Sequence, residues 1–138
     1  MKMSIEDSLF EELGIRCKQN NVDYEPTSKK LRKILRGEEP IAYLFGAGFA
    51  PENPNIIIDL LVLTHELVIG YSIEKTSIVI SRGKRSMYNM VMVSEFQDKI
   101  KVQLLTGSLG GGFYVSNLLK YKDKVWEFVE SLNRLNFP

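Results

Sequence analysis

The sequence has one cysteine, one histidine and no long apolar run, and each shortage removes a class of function. A single Cys forbids an internal disulfide framework, and one His beside it cannot assemble a zinc site of the usual nitrogen and sulfur ligands. Cys17 and His65 lie far apart in the sequence, and no signature of a Cys–His nucleophile surrounds either one. The expectation is therefore no catalytic residue, no metal and no cofactor, and the chain is read as not an enzyme. The longest apolar stretch, Ile56 to Leu63, is interrupted by Asp59 and falls well short of the ~18 residues of a membrane span, so no transmembrane segment is expected. The opening Met1-Lys2-Met3-Ser4-Ile5-Glu6-Asp7 lacks the apolar core of a secretory signal. The expected location is cytoplasmic, where a lone thiol stays reduced.

An excess of one sign of charge is also missing, with 18 Lys and Arg against 17 Asp and Glu. Nucleic-acid binders usually carry a basic excess, so no nucleic acid is expected as partner. The balance hides an uneven distribution. No Lys or Arg occurs from Gly37 to Ile73, where Glu38, Glu39, Glu52, Asp59 and Glu66 all fall. The basic residues gather on either side, in Lys29, Lys30, Arg32, Lys33 and Arg36 and again in Arg82, Lys84 and Arg85. Opposite-sign segments of this kind favour association with a partner or with a second copy.

What is present is an ordinary globular composition. At 138 residues and 44% hydrophobic, the chain is long enough to bury one core. Ser4 followed by Asp7 reads as a helix cap with an acidic first turn, and Ile5, Leu9, Leu13 and Cys17 then recur on one face. A second helix is expected from a Thr27 or Ser28 cap through Leu31, Ile34 and Leu35, stopping at Gly37. From Ile41 the pattern changes to seven short β-rich runs, at roughly 41–49, 55–63, 67–73, 77–81, 87–93, 100–106 and 112–116. Turn residues separate them, including Pro51-Glu52-Asn53-Pro54, Thr64-His65-Glu66 and Arg82-Gly83-Lys84, with a glycine-rich hairpin at Gly107 and Gly110-Gly111-Gly112. The last segment reads as a helix with Tyr121, Val125, Phe128, Val129, Leu132 and Leu135 in one stripe, capped by Asn117.

Leu35-Arg36-Gly37-Glu38-Glu39-Pro40-Ile41 entering the first strand, Val62-Leu63-Thr64 turning through His65-Glu66 into Leu67-Val68-Ile69, Lys99-Ile100-Lys101-Val102-Gln103-Leu104, and Phe113-Tyr114-Val115-Ser116-Asn117 before the last helix carry a resemblance. The chain resembles bacterial pleckstrin-homology-like (PH-like) domains of the YokE-like and GRAM-like kind, over about residues 29–135. The family usually has Asn or Asp and then a basic residue where His65-Glu66 stands. The resemblance implies a mainly β fold, a seven-stranded sandwich or barrel with a C-terminal capping helix, here with two N-terminal helices. The division expected is a helical extension at 1–36 packing on a PH-like domain at 37–138. It also implies a non-catalytic interaction or assembly module, or alternatively a peripheral membrane module that binds anionic lipid head groups.

Three sets of candidate residues follow. Arg82, Lys84 and Arg85 form a basic turn able to hold an anion through charge-assisted hydrogen bonds. Lys29, Lys30, Lys33 and Arg36 form a basic helical face for a membrane or a partner. The loop Ala50-Pro51-Glu52-Asn53-Pro54-Asn55 carries no positive charge, so the phosphoinositide site of eukaryotic PH domains does not transfer. Candidates for a protein interface are Ile57 and Leu61, in a strand apolar on both faces, and Met87, Tyr88 and Met90 in a methionine-rich run. The second face of the Ile56–Leu63 run must be covered, either by the N-terminal helices or by another subunit.

Overall fold

The computed structural model describes residues 3–46, 55–106 and 112–137. Two helices come first, α1 (Ile5–Gln19) and α2 (Tyr24–Leu35). Seven strands follow, β1 (Ala42–Phe45), β2 (Ile56–Leu63), β3 (Leu67–Glu74), β4 (Ile78–Lys84), β5 (Met90–Phe96), β6 (Lys99–Leu105) and β7 (Gly112–Leu118). The chain ends in α3 (Lys122–Asn136), and single 3-10 turns at Arg85–Met87 and Leu119–Tyr121 precede β5 and α3.

All strand pairs are antiparallel, in a four-stranded sheet ordered β1-β2-β3-β4 and a three-stranded sheet ordered β5-β6-β7. The expected single mainly β sandwich or barrel is thus an α+β fold whose two sheets do not close on each other. They meet where β7 lies against β1 and β2. There the Asn117 amide donates to the Phe45 carbonyl at 2.8 Å, and a Cβ at Gly46 would stand 3.2 Å from Val115. Among the described residues, no strand pairs with the outer side of β4 or of β5.

The doubly apolar β2 is explained by two cores on its two faces. Ile58, Leu60 and Val62 pack with Leu9, Phe10, Leu13 and Cys17 of α1 and with Leu31 and Leu35 of α2. Leu61 and Leu63 point the other way, into a core with Ile100, Val102, Leu104, Phe113 and Val115 of the second sheet and Val125, Phe128, Val129 and Leu132 of α3. This is the side-chain alternation of a strand with both faces buried. The cover for the second face comes from the chain's own helices.

Local sequence accounts for most boundaries. The Ser4 hydroxyl accepts from the Asp7 amide at 3.1 Å, as the cap pattern predicts. The second helix begins earlier than expected. Thr27 and Ser28 are buried inside it, bonding back to the carbonyls of Asp23 at 2.7 Å and Glu25 at 3.1 Å, and its N-cap is Asp23. It ends where expected, with Arg36 and Gly37 at φ of 52° and 78°. Asn117 does not cap α3. It sits in β7 as the tie to Phe45, and the residue before α3 is Tyr121. The expected turn Arg82-Gly83-Lys84 is the end of β4 instead, and the chain turns only at Arg85–Met87. The expected turn at 51–54 and the glycines at 107, 110 and 111 lie outside the described residues.

Candidate functional site

β4 and β5 are consecutive strands assigned to different sheets, so the molecule is open between them. The crossover is clamped from three directions. The Arg85 amide donates to the Glu66 carbonyl at 2.8 Å, and the Arg85 guanidinium donates to the His65 carbonyl at 2.7 Å and to the Asn136 side chain. The Asn136 amide donates in turn to the Tyr88 carbonyl at 3.0 Å. The Tyr88 ring lies tilted against Phe113 at 5.2 Å between centroids and over Gly83, where a Cβ would stand 2.7 Å from ring carbon Cε2. Two charged or aromatic residues singled out from the sequence, Arg85 and Tyr88, therefore hold the opening in shape.

Several apolar side chains around the opening are exposed, beside the charged Arg82 and Lys84 of β4. Ile78, Val79 and Ile80 of β4 are 37%, 46% and 42% exposed. Met87, Met90, Met92 and Phe96 are also exposed, Phe96 at 70%. Met92 stands in register with Gln103, and Gln103 with Tyr114, so Met90, Met92 and Tyr114 share the outer face of the second sheet, where the Lys101 ammonium lies 4.7 Å from the Tyr114 ring centre. A long edge strand with uncovered apolar side chains is a template for another chain, and monomeric proteins usually guard such edges with charge or proline.

The other candidates are dispersed. Arg82 and Lys84 are exposed on β4, whereas Arg85 is engaged in the clamp, so the three do not form one turn. Lys29, Lys30, Lys33 and Arg36 are exposed on α2 and just past it. Ile57 packs partly buried against the helix-side core. Leu61 is 2% exposed, buried between the sheets, and offers no surface in this structure. Ile78, Val79, Ile80, Met92 and Phe96 were missed as candidates because edge position follows from strand order, which local pattern does not encode.

A second concavity of about 660 Å³ runs along β1 between α1 and α3. Its walls include Ile5, Glu12, Arg16, Tyr121, Lys124 and Glu127. Arg16 is engaged, donating to Glu12 at 3.0 Å and to the Gly46 carbonyl at 2.9 Å, and stacked over Phe45 at 4.7 Å. The Tyr43 and Ser8 hydroxyls bond each other at 2.6 Å, and burial pushes the Tyr43 phenol above its ordinary value.

Buried polar groups are satisfied locally. Asp59 accepts from the Ser72 hydroxyl at 2.8 Å, and burial pushes its carboxyl above the ordinary carboxylate value. Burial likewise raises the Cys17 thiol above its ordinary value. No group of three or more His, Cys, Asp or Glu able to hold a metal occurs among the described residues. Among the described residues, no helix is long and apolar enough to cross a membrane.

Two antiparallel sheets of four and three strands, followed by a helix packed on the core between them, define a PH-like fold. The crystal structure of a DUF1696 family protein with a pleckstrin-homology domain from Shewanella loihica is similar, with a TM-score of 0.51 over 79% of this chain and 96% of that one at 10% identity. At that identity the likeness concerns the fold alone. No family model matches the chain, and no curated protein matches it.

Proposed function

We propose that this chain is a non-catalytic protein-interaction or assembly module, a PH-like domain of the YokE-like or GRAM-like type at 37–138 with a helical extension at 1–36, acting in the cytoplasm through protein contacts. The observation that carries the reading is the opening between β4 and β5, where Ile78, Val79, Ile80, Met90 and Met92 are exposed on strands with an unpaired edge, and Met87 is exposed in the turn between them. A PH-like neighbour fits this use, although a shared fold does not by itself assign one.

Light scattering over a concentration series tests it. The expected result is assembly, or complex formation with a native partner, that weakens when Val79 and Met92 are both replaced by Lys. A strict monomer whose partner binding ignores those changes would contradict the reading.

The alternative is a peripheral membrane module that takes anionic lipid head groups. It is favoured by the exposed lysines of α2, with Lys29, Lys30 and Lys33 on the helix and Arg36 at its end. Sedimentation with anionic vesicles at two salt concentrations distinguishes it, since head-group attraction falls steeply as salt rises.

A further inference from the structure

The two basic segments, remote in sequence, lie on the same side of the first sheet. α1 lies over β1, as the Ser8–Tyr43 bond and the Arg16 bond to Gly46 require. α2 lies over β3, because the Tyr71 hydroxyl donates to the Thr27 carbonyl at 3.1 Å, and Glu38 just past the helix accepts from Thr64 just before the strand at 2.8 Å. α2 therefore runs antiparallel to β3. On α2, Arg32 turns toward α1, over the Phe10 ring at 3.8 Å and beside Glu6 at 3.6 Å. Lys30, two residues earlier, is about 200° round the helix from Arg32 and so faces away from α1, toward β4.

The register places β4 against that side. Tyr71 opposes Ile80, Ile69 opposes Arg82 and Leu67 opposes Lys84. Ile69, Tyr71 and Ile73 belong to the helix-side core, so Ile78, Ile80, Arg82 and Lys84 share the helix-side face of β4, two apolar residues followed by two basic ones. Lys30 is on the side of α2 turned toward that face, and Lys33 is exposed about one turn further along the helix. Among the described residues, neither Arg82 nor Lys84 has an ion-pair partner.

The backbone of the same four residues is available. The Glu74 amide donates to the Ser77 carbonyl and the Arg85 amide to Glu66, each at 2.8 Å. These mark the hydrogen-bonded positions of the β3–β4 ladder, so Val79, Ser81 and Gly83 direct their amides to β3, and Ile78, Ile80, Arg82 and Lys84 direct theirs outward.

We infer that β4 accepts an extended acidic segment of a partner protein as a fifth strand of the first sheet. The inference rests on the interaction-module reading and names the partner of that site. The segment runs antiparallel to β4, with two acidic residues in alternate positions opposite Lys84 and Arg82, then two β-branched residues in alternate positions opposite Ile80 and Ile78. Main-chain bonds supply attachment, and the charge pairing under Lys30 and Lys33 sets direction and register. A membrane surface matches the charge but cannot use the outward amides.

Fluorescence anisotropy with the full chain and labelled nine-residue peptides tests this. The probe alternates Glu, Glu, Val and Ile at the four facing positions, with Thr between them. One control scrambles the order, one replaces Glu by Lys, and one is N-methylated at the amides that would bond β4. The expected result is binding of the probe alone, weakened at least about tenfold by combined Lys30→Glu, Arg82→Glu and Lys84→Glu and weakened by salt. Hydrogen exchange on the unaltered chain, which needs no variant, should slow at Ile78, Ile80, Arg82 and Lys84. Equal binding of the scrambled or N-methylated peptide overturns the proposal, as does binding to anionic vesicles with no binding to any peptide, or binding to neither. If the peptides fail while assembly still depends on Val79 and Met92, the partner is wrong and the interaction-module reading stands.

Discussion

Replacing Leu31 by Ala asks whether the helices that cover β2 belong to the same folding unit as the sheets. Leu31 is fully buried at the centre of α2, against the helix-side face of β2 and β3. The substitution removes three carbons from a packed site. At about 0.8 kcal/mol per buried methylene the transfer loss is about 2.4 kcal/mol, and an incompletely collapsed cavity raises it to roughly 3–4 kcal/mol. For a chain of this size that lowers Tm by roughly 10 °C. Urea unfolding read by far-ultraviolet circular dichroism follows the helices, while fluorescence of Trp126 follows α3 on the opposite core. Both signals should shift together in Leu31→Ala, and neither should move by more than about 0.5 kcal/mol in Lys29→Ala, an exposed change on the same helix. A Trp126 transition that stays in place while helical signal melts earlier would refute the argument, because it would make α1 and α2 a dispensable appendage.

Three further outcomes follow from buried contacts. Gly70→Ala places a Cβ 2.7 Å from the Phe113 ring and should destabilise by about 1–3 kcal/mol in chemical denaturation, with partial rescue when Phe113 is replaced by Leu; simple additivity of the two changes would show that the ring is not the obstacle. Asp59 holds its proton more tightly folded than unfolded, so its contribution to stability falls as pH rises from the ordinary value of 3.8 through the raised one. Asp59→Asn, which keeps an acceptor for Ser72, should therefore be more stable than the unaltered chain at pH 7 and lose that advantage toward pH 3, and lower stability at pH 7 would contradict this. Burial pushes the Tyr71 phenol to about 12, so the folded state keeps that proton and loses stability as pH climbs from 10 through 12; Tyr71→Phe should lack this alkaline slope while losing about 1 kcal/mol for the bond to Thr27 at pH 7.

The strand count was legible because each run alternates or clusters β-formers between turn residues, and the double-faced Ile56–Leu63 run correctly demanded two covers. The start of α2 was misread because Thr27 and Ser28 look like caps in isolation. Pro26 one residue earlier suits a first turn and marks the truer beginning. Asn117 was misread for a similar reason, since a capping side chain and a buried strand tie use the same amide. The opening between the sheets was the least legible feature. Ile78-Val79-Ile80 has the pattern of a buried strand, and only the order β1-β2-β3-β4 leaves it at an edge. The side of α2 that Lys30 occupies depends on the rotation of the helix, which Arg32, Phe10 and Glu6 set through contacts between elements.

Hydrogen exchange of the full chain, dilute and then in its associated state, tests most directly that the β4–β5 opening is the contact surface. The account predicts that protection gained on association is concentrated at the outward amides of β4, at Ile78, Ile80, Arg82 and Lys84, and along β5, with Val79, Ser81 and Gly83 already slow in the dilute chain. Protection gained instead in the groove between α1 and α3, around Tyr43 and Tyr121, or an unchanged pattern along β4 and β5, would contradict it.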